Sequence, residues 1–393
     1  MRPPGSLAAF GLLSCAYFAA LAVFNPYAPL WFQSLGFSTV VIGGIASLQA
    51  WTRIVTPYAW SWLGDHSGRR VELIRLGTVG CLLAALGLLG VREAVPVAAV
   101  TALLFVANSA VVPLYEATLA HLLHTEDGLD TARYGRIRVW GSIGFIIAVT
   151  LFGAMLDWLS IDIFPIAVAV MNLLLLGAAW CLPSTHEDAA HDEPPPPVLH
   201  LLRQPEVAWF FASIFFTVLA HTSLYAFFSL YLVSLGYGKT AVGLLWALAV
   251  AVEIAFFWFQ GRWFHKLSAH RWLIVVAAVT AARFALVAGA GRWPLVLALA
   301  QLSHAITFAA HHAACITLVY RYFPDRLRGR GQALYTTLGY GASGVIGGLG
   351  GGWLIDHAGF AAVFWAATAA ALVGWLCAWR AHAADLRADP AMS

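Results

Sequence analysis

The sequence is poor in charge. Only 10% of its 393 residues are Asp, Glu, Lys or Arg, whereas 61% are hydrophobic. Soluble domains average about 25% charged and about 45–50% apolar residues, so this composition argues against a soluble enzyme. The formal net charge of +3 is too weak and dispersed for a nucleic-acid-binding chain, whose basic residues cluster on one face. Intrinsic disorder is also excluded, because it requires low hydrophobicity and high net charge.

Reactive motifs are missing as well. The five cysteines contain no CxxC pair, so neither a disulfide framework nor a zinc site is expected. HExxH and GxSxG are absent, and the glycine run 341–353 lies in an apolar segment without the GK[ST] of a phosphate loop. We therefore expect no catalytic residues, no metal and no cofactor. A receptor or a membrane-embedded enzyme remains a remote alternative.

Hydrophobic runs dominate what is present. A membrane-spanning helix needs roughly 20 apolar residues, and twelve such runs occur, at 7–32, 38–62, 73–91, 95–120, 138–157, 162–182, 207–233, 241–261, 272–290, 293–319, 332–354 and 360–380. The first run is too long for a signal-peptide core. The sequence therefore predicts an all-α membrane protein with twelve transmembrane helices in two six-helix halves. Their predicted bounds are 1–182 and 207–380, with a polar linker at 183–206 and a tail at 381–393.

The distribution of positive charge predicts the orientation. If the N-terminus is cytoplasmic, most of the 22 Lys and Arg residues lie in cytoplasmic segments, and the outer loops keep only Arg92, Lys239 and Arg292. This bias is the positive-inside pattern. We expect both termini, the linker and the tail in the cytoplasm of a bacterium, with the chain crossing the inner membrane. Two short basic loops, 61–70 and 261–271, form a weak internal repeat, as in transporters whose halves rock about a central site.

Ionisable residues inside the predicted spans are the candidate site. Inserting a charged side chain at the centre of a membrane-spanning helix costs at least about 2.5–3.5 kcal/mol, so each of these residues invites a functional interpretation. They are Glu116 and Glu253, the arginines Arg53 and Arg283, Arg138 at the end of a span, and the histidines His221, His304, His311 and His312. Two interpretations stay open: ion pairs that only hold helices together, or a site for a polar or anionic solute coupled to protonation. Histidine titrates near pH 6.5 and suits proton transfer, and we favour this role for His221 and His304 over His311 and His312.

Further side chains are candidates to line a cavity. The abundant aromatic residues mostly belong to the core or the membrane interface. Near the polar positions we select Asn25, Tyr27, Phe145 and Tyr225 as contacts for a solute.

The chain resembles the major facilitator superfamily over nearly its whole length. The segment SWLGDHSGRR, residues 61–70, is similar to the superfamily motif between the second and third spans, with Ser61 in place of glycine and His66 in place of arginine. In that family the motif helps to hold the cytoplasmic gate. The resemblance implies this role for Asp65, Arg69 and Arg70.

A narrower resemblance is to the branch that contains lactose permease and the phenylpropionic acid permeases. It rests on residues 113–123, 133–145, 202–211, 221–232, 241–253 and 301–312. The resemblance implies that Glu116 pairs with Arg138. It also implies that Glu253, Arg283 and His304 occupy the charged positions of the C-terminal half, and that Phe145 stands where the sugar permease stacks a tryptophan.

Two departures limit that resemblance. Thr307 replaces the proton-bearing glutamate of the sugar permease, and Gln301 replaces a lysine. Proton coupling is then left to Glu253, Glu116 or a histidine such as His304, and loss of the stacking indole argues against a sugar.

We predict a secondary transporter that moves a small aromatic carboxylate with a proton. The substrate-binding candidates are Arg138, Arg283, Arg53, Asn25, Tyr27, Phe145, Tyr225 and His221. Guanidinium groups suit a carboxylate because they stay charged and bind both oxygens. The expected partners are the solute, the proton and the lipid bilayer, with a single chain as the working unit. A sugar or nucleoside symporter and a drug exporter stay open as alternatives.

Overall fold

The computed structural model describes residues 5–125, 128–184, 198, 200–324 and 327–388, and these residues are almost entirely helical. The α-helices are α1 (Gly5–Ser34), α2 (Thr39–Ser67), α3 (Arg70–Gly87), α4 (Ala94–Asn108), α5 (Val111–Leu122), α6 (Thr131–Trp158), α7 (Phe164–Trp180), α8 (Pro205–Ser234), α9 (Lys239–Phe259), α10 (Ala269–Ala290), α11 (Pro294–Leu302), α12 (His311–Tyr322), α13 (Arg328–Leu334), α14 (Ser343–Ala358) and α15 (Phe360–Ala388). The predicted linker at 183–206 falls largely at 185–197 and 199, outside the described residues. Of the predicted tail, 381–388 belong to α15 and 389–393 lie outside the described residues.

Short elements complete the chain. Two π-helices, Ala305–Ala310 and Tyr335–Ala342, continue α11 and α13 into α12 and α14. Short 3-10 helices occupy Ile161–Ile163, Leu201–Arg203, Gln260–Arg262 and Phe264–Lys266. The strands β1 (His124–Thr125) and β2 (Gly128–Leu129) pair antiparallel over two residues each.

Nine segments of the described residues are long and apolar enough to cross a membrane. They are Leu7–Ser34, Ala94–Leu122, Ala132–Trp158, Ile161–Trp180, Pro205–Ser234, Lys239–Arg262, Ala269–Ala290, Pro294–Tyr322 and Phe360–Ala388. The all-helical membrane class is therefore confirmed, while the number of twelve spans stays a prediction. The remaining predicted runs coincide with α2, which carries Arg53 and Asp65, with the 18-residue α3, and with α13 and α14.

The chain forms two compact units. Unit 1 comprises residues 1–37, 52–192 and 237–247, and unit 2 comprises 38–51, 193–236 and 248–393. The division resembles the predicted halves except that α2 and α9 each contribute to both units. The predicted boundary at 183–206 itself stays a prediction.

Glycines explain why the first residues of α2 belong to unit 2. A Cβ on Gly43 would collide with the carbonyl of Gly348 on α14, so only glycine lets these helix backbones come so close. Beside this contact, Ser47 Oγ donates to the carbonyl of Val345 at 3.0 Å and Thr39 Oγ1 donates to that of Gly352 at 2.7 Å.

A matching contact attaches the start of α9 to unit 1. Asp157, at the end of α6, accepts hydrogen bonds from the backbone N–H of Lys239 at 2.7 Å and of Thr240 at 2.9 Å. These are first-turn donors of α9, which have no acceptor within their own helix. The carboxylate also lies at the positive end of the helix dipole. Asp157 therefore fixes α9 against α6.

Each unit has its own apolar core. In unit 1, Phe10 and Leu13 of α1 pack with Ile74 of α3, Leu114 of α5 and Leu175 of α7. In unit 2 the core joins α8, α10, α12 and α15. It includes Phe210, Val276, Leu318 and Ala378, all fully or nearly fully buried. Because these four helices are packed tightly, the polar side chains that they carry near one another are held in a fixed arrangement.

Candidate functional site

Arg283 is the centre of a buried polar cluster in unit 2. It lies on α10 and is only 2% exposed. Its guanidinium donates three hydrogen bonds: Nη2 to Gln301 Oε1 at 2.6 Å, Nη1 to Thr307 Oγ1 at 2.8 Å, and Nη1 to His304 Nδ1 at 3.1 Å. All three acceptors are uncharged. We use the name Arg283 cluster for Arg283, Gln301, His304, Thr307, Glu253 and His221.

The three acceptors come from one stretch of chain. Gln301 ends α11, His304 precedes the π-helix Ala305–Ala310, and Thr307 lies inside it. Residues three apart lie on the same side of a helix, so this spacing aims all three side chains at α10. A π-helix is rare and occurs frequently at functional sites. The ring of His304 is further held by stacking on Phe308, with centroids 5.0 Å apart.

The bond from Arg283 fixes the tautomer of His304. A guanidinium only donates, so Nδ1 of His304 must accept and the proton of the neutral ring sits on Nε2. That Nε2 lies 3.9 Å from Glu253 Oε2, on α9. The distance exceeds a hydrogen bond but brings the predicted proton carriers Glu253 and His304 together with the predicted substrate cation Arg283.

His221 has the opposite tautomer. On α8, its Nδ1 lies 2.8 Å from the backbone carbonyl of Thr217. A carbonyl only accepts, so Nδ1 carries the proton. The ring meets Phe284 edge-on with centroids 5.4 Å apart and stacks beside Tyr225 at 6.3 Å. His221 is 4% exposed, whereas Tyr225 is 36% exposed.

A second charged group lies in unit 1. Glu116 on α5 and Arg138 on α6 form an ion pair, with Oε1 and Nη2 3.4 Å apart and side chains 38% and 30% exposed. The Arg138 guanidinium also lies over the ring of Phe18, 5.0 Å from its centroid. The structure thus brings together the two residues that the resemblance to lactose permease pairs.

The other candidate solute contacts of unit 1 differ in how deeply they are buried. Arg53 on α2 is exposed, and Asn25 and Phe145 are half-buried. Tyr27 is completely buried, and its hydroxyl donates to the carbonyl of Val149 at 2.8 Å. That bond joins α1 to α6. The predicted solute contacts of these four residues stay predictions.

The predicted gate residues form local ion pairs. Arg70 Nη2 donates to Asp65 Oδ1 at 2.7 Å, and Arg69 Nε lies 3.6 Å from Glu72 Oε2. The pairs lie where α2 ends and α3 begins. Their gating role stays a prediction.

Sequence reasoning missed two sets of residues. It treated Gln301 and Thr307 as departures from a family pattern, although both are direct partners of Arg283; their spacing of three from His304 was the available signal. It also did not identify a cluster in which Asp385, near the end of α15, accepts from Arg321 at 3.1 Å and lies 3.4 Å from His270. Nothing near Asp385 in sequence pointed to these partners. Among the described residues, no group of three or more His, Cys, Asp or Glu residues is placed to hold a metal ion.

Comparison with known proteins agrees with this architecture. The "Probable 3-phenylpropionic acid transporter" of Escherichia coli (strain K12) is 26% identical over 370 residues, which cover 91% of this chain and 93% of that protein. The "Maltose permease" of Geobacillus stearothermophilus is 28% identical over 357 residues, covering 86% of this chain and 85% of that protein.

Solved structures agree on the fold alone. A mutant of the nucleoside transporter NupG superposes with a TM-score of 0.82 at 15% identity, covering 96% of this chain and 99% of that one. The human organic anion transporter MFSD10 gives a TM-score of 0.63 at 16% identity, with 96% and 100% covered. The MFS_1 like family matches residues 11–366, so the chain belongs to this family of membrane transporters and is not an enzyme.

Proposed function

We propose that this transporter carries a small aromatic carboxylate into the bacterial cytoplasm together with a proton. The observation that carries the proposal is the charge of Arg283. Arg283 is buried and its hydrogen-bond acceptors are all neutral. In the described part of the chain, no carboxylate forms an ion pair with it. A buried charge is costly unless an opposite charge pairs with it, and the carboxylate of a solute supplies that charge.

Aromatic rings around Arg283 suit the other end of such a solute. Phe284 lies beneath the guanidinium, whose Cζ is 5.6 Å from the ring centroid. Tyr225 is partly exposed and stacks beside His221, and Phe308 flanks His304. Aromatic pairs gain about 0.5–1.5 kcal/mol beyond their area burial, so the rings favour an aromatic acid over an aliphatic one.

Proton coupling fits the titratable groups of the same cluster. His304, Glu253 and His221 lie around the cation that receives the carboxylate. Glu116 lies in the ion pair of unit 1. Alternating access, by rocking of residues 1–182 against 207–380, would expose the loaded site to either side in turn.

The resemblance to relatives supports the class of solute. The E. coli relative is named for 3-phenylpropionic acid. A neutral sugar is the second candidate, because the relative from G. stearothermophilus is named for maltose. The two candidates differ in charge, so one assay separates them.

The test is uptake of radiolabelled 3-phenylpropionate, maltose and uridine into proteoliposomes, with protein-free vesicles as the control. With an acidic exterior, we expect accumulation of 3-phenylpropionate above equilibrium and its loss on adding a protonophore. Accumulation of maltose or uridine without that of 3-phenylpropionate would overturn the proposal. Uptake of the acid that does not depend on the pH gradient would contradict the proposed coupling to a proton.

A further inference from the structure

Two atoms of the Arg283 cluster are buried without a partner. Among the described residues, His221 Nε2 and Arg283 Nε belong to the small set of buried side-chain atoms that form no hydrogen bond. Leaving a buried polar atom without a hydrogen-bond partner is energetically unfavourable. Two of them in one cluster indicate that a ligand group completes it.

The two atoms have opposite requirements. His221 uses its Nδ1 proton for the carbonyl of Thr217, so Nε2 of the neutral ring presents a bare lone pair. Arg283 has five N–H bonds, of which three go to Gln301, Thr307 and His304. Its Nε–H is left without an acceptor in the described structure. One atom therefore needs a donor and the other needs an acceptor.

The two side chains are neighbours. Both contact the ring of Phe284, with the His221 centroid 5.4 Å and the Arg283 Cζ 5.6 Å from its centroid. The two side chains also lie close enough to interact electrostatically. The other titratable groups that face His221 are His304, His311 and Tyr225. None of these three supplies a negative charge at neutral pH.

We propose that the carboxyl group of the solute bridges Arg283 Nε and His221 Nε2, and that His221 binds the coupling proton. This inference rests on the proposed function and names its proton carrier. One carboxyl oxygen accepts from Arg283 Nε–H. The other oxygen faces His221 Nε2, and since both atoms carry lone pairs, they bond only when a proton lies between them.

The proton balance of this step is simple. A proton from the solution that the open site faces forms an N–H bond at His221 Nε2, which then donates to the carboxylate. No other covalent bond changes, and Arg283 keeps its charge. When the solute leaves on the other side, the imidazolium loses its carboxylate and releases the proton to that solution. Each monovalent acid thus crosses with one proton and without net charge.

Coupling follows from the same geometry. An imidazolium beside the buried Arg283 cation is strongly disfavoured unless a carboxylate lies against both. A carboxylate alone is repelled by the lone pair of Nε2. The empty site therefore does not carry a proton across, and the carboxylate does not bind without one. His304 cannot take this role while its Nδ1 accepts from Arg283.

The experiment is isothermal titration of 3-phenylpropionate into the purified full-length chain. The titration is carried out in phosphate and in Tris at equal pH, and the difference in heat between the two buffers measures the proton uptake. At pH 7 the free acid is ionised, and we expect about one proton taken up per solute and an affinity that rises about tenfold per unit fall in pH. His221→Gln replaces the lone pair with an N–H donor and keeps the bond to the carboxylate. This variant should bind with no proton uptake and no pH dependence.

The matched control is His311→Gln. His311 is equally buried and faces His221, but its Nε2 contacts Cys315 Sγ at 3.4 Å rather than the Arg283 cluster. It should keep the proton uptake of the unchanged chain. Binding of 3-phenylpropionate to the unchanged chain without proton uptake overturns the inference alone, as does proton uptake that persists in folded His221→Gln. Absence of binding by folded, unchanged protein overturns the proposed function and this inference with it.

Discussion

The charged groups of the two units differ in how their charge is balanced. In unit 1, Arg138 lies 3.4 Å from the carboxylate of Glu116, and both side chains are partly exposed. In unit 2, Arg283 is almost completely buried and bonds only to neutral acceptors. The first group is an ion pair that neutralises itself. The second is a cation held in place by groups that leave its charge uncancelled.

This difference separates a structural charge from a binding charge. In the ion pair of unit 1 each charge is balanced by its partner, so neither member needs a counter-charge from a solute. A buried cation without an anion is unfavourable by itself, and its three hydrogen bonds fix its position without neutralising it. We therefore assign the proposed contact with the solute's carboxylate to the cation of unit 2.

The largest expected effect comes from removing that charge. Arg283→Gln deletes the cation that pairs with the solute, and a charge-assisted hydrogen bond is worth about 1.5–3 kcal/mol. Since each 1.4 kcal/mol is a factor of ten, we expect the affinity for 3-phenylpropionate to fall about 100-fold. Isothermal titration of detergent-purified protein measures it.

Arg283→Lys is the matched control for this change. It keeps a positive charge but loses the planar fork of five donors, so we expect weakened binding that stays above that of Arg283→Gln. Equal affinity of Arg283→Gln and the unchanged chain would show that Arg283 is structural, like the pair in unit 1.

A smaller loss of affinity is expected when Arg283 in unit 2 is given a carboxylate partner, as Arg138 has in unit 1. Gln301→Glu places a carboxylate where the amide oxygen now lies, 2.6 Å from Arg283 Nη2. The cation is then neutralised within the protein, and a like charge meets the incoming carboxylate at a cost of several kcal/mol. We expect at least about a tenfold loss of affinity for the acid, together with a higher unfolding temperature, because the buried cation gains its counter-charge.

Gln332→Glu adds the same charge on α13, where Gln332 is exposed and donates to the hydroxyl of Tyr320. It should leave binding unchanged. If Gln301→Glu bound the acid as tightly as this control, the charge of Arg283 would not attract the solute.

The sequence predicted the class of fold well, because hydrophobic runs near 20 residues have few other interpretations. It also identified the ionisable residues, since charge within such runs is rare. The pairing of Glu116 with Arg138 came from a family resemblance and agrees with the structure.

The surroundings of Arg283 were harder to predict. Gln301 and Thr307 are ordinary polar residues in sequence, and a helix is expected to place them by its 3.6-residue period. The π-helix at Ala305–Ala310 changes that period locally. The tautomers of His221 and His304 depend on partners 4 and 21 residues away, the carbonyl of Thr217 and the guanidinium of Arg283, and no residue pattern specifies them.

The smallest effect is expected at the ion pair of unit 1, where Glu116→Gln should change the affinity for 3-phenylpropionate less than about threefold. We expect a small effect because the pair balances its own charge and is not part of the proposed solute site. Exchanging the charges in the double variant Glu116→Arg, Arg138→Glu should restore most of any lost stability. A double-mutant cycle on the free energy of unfolding measures the coupling between the two side chains. A larger loss of affinity in Glu116→Gln that the charge exchange does not restore would indicate a direct solute contact in unit 1. The two units would then no longer differ in whether their charged group binds the solute.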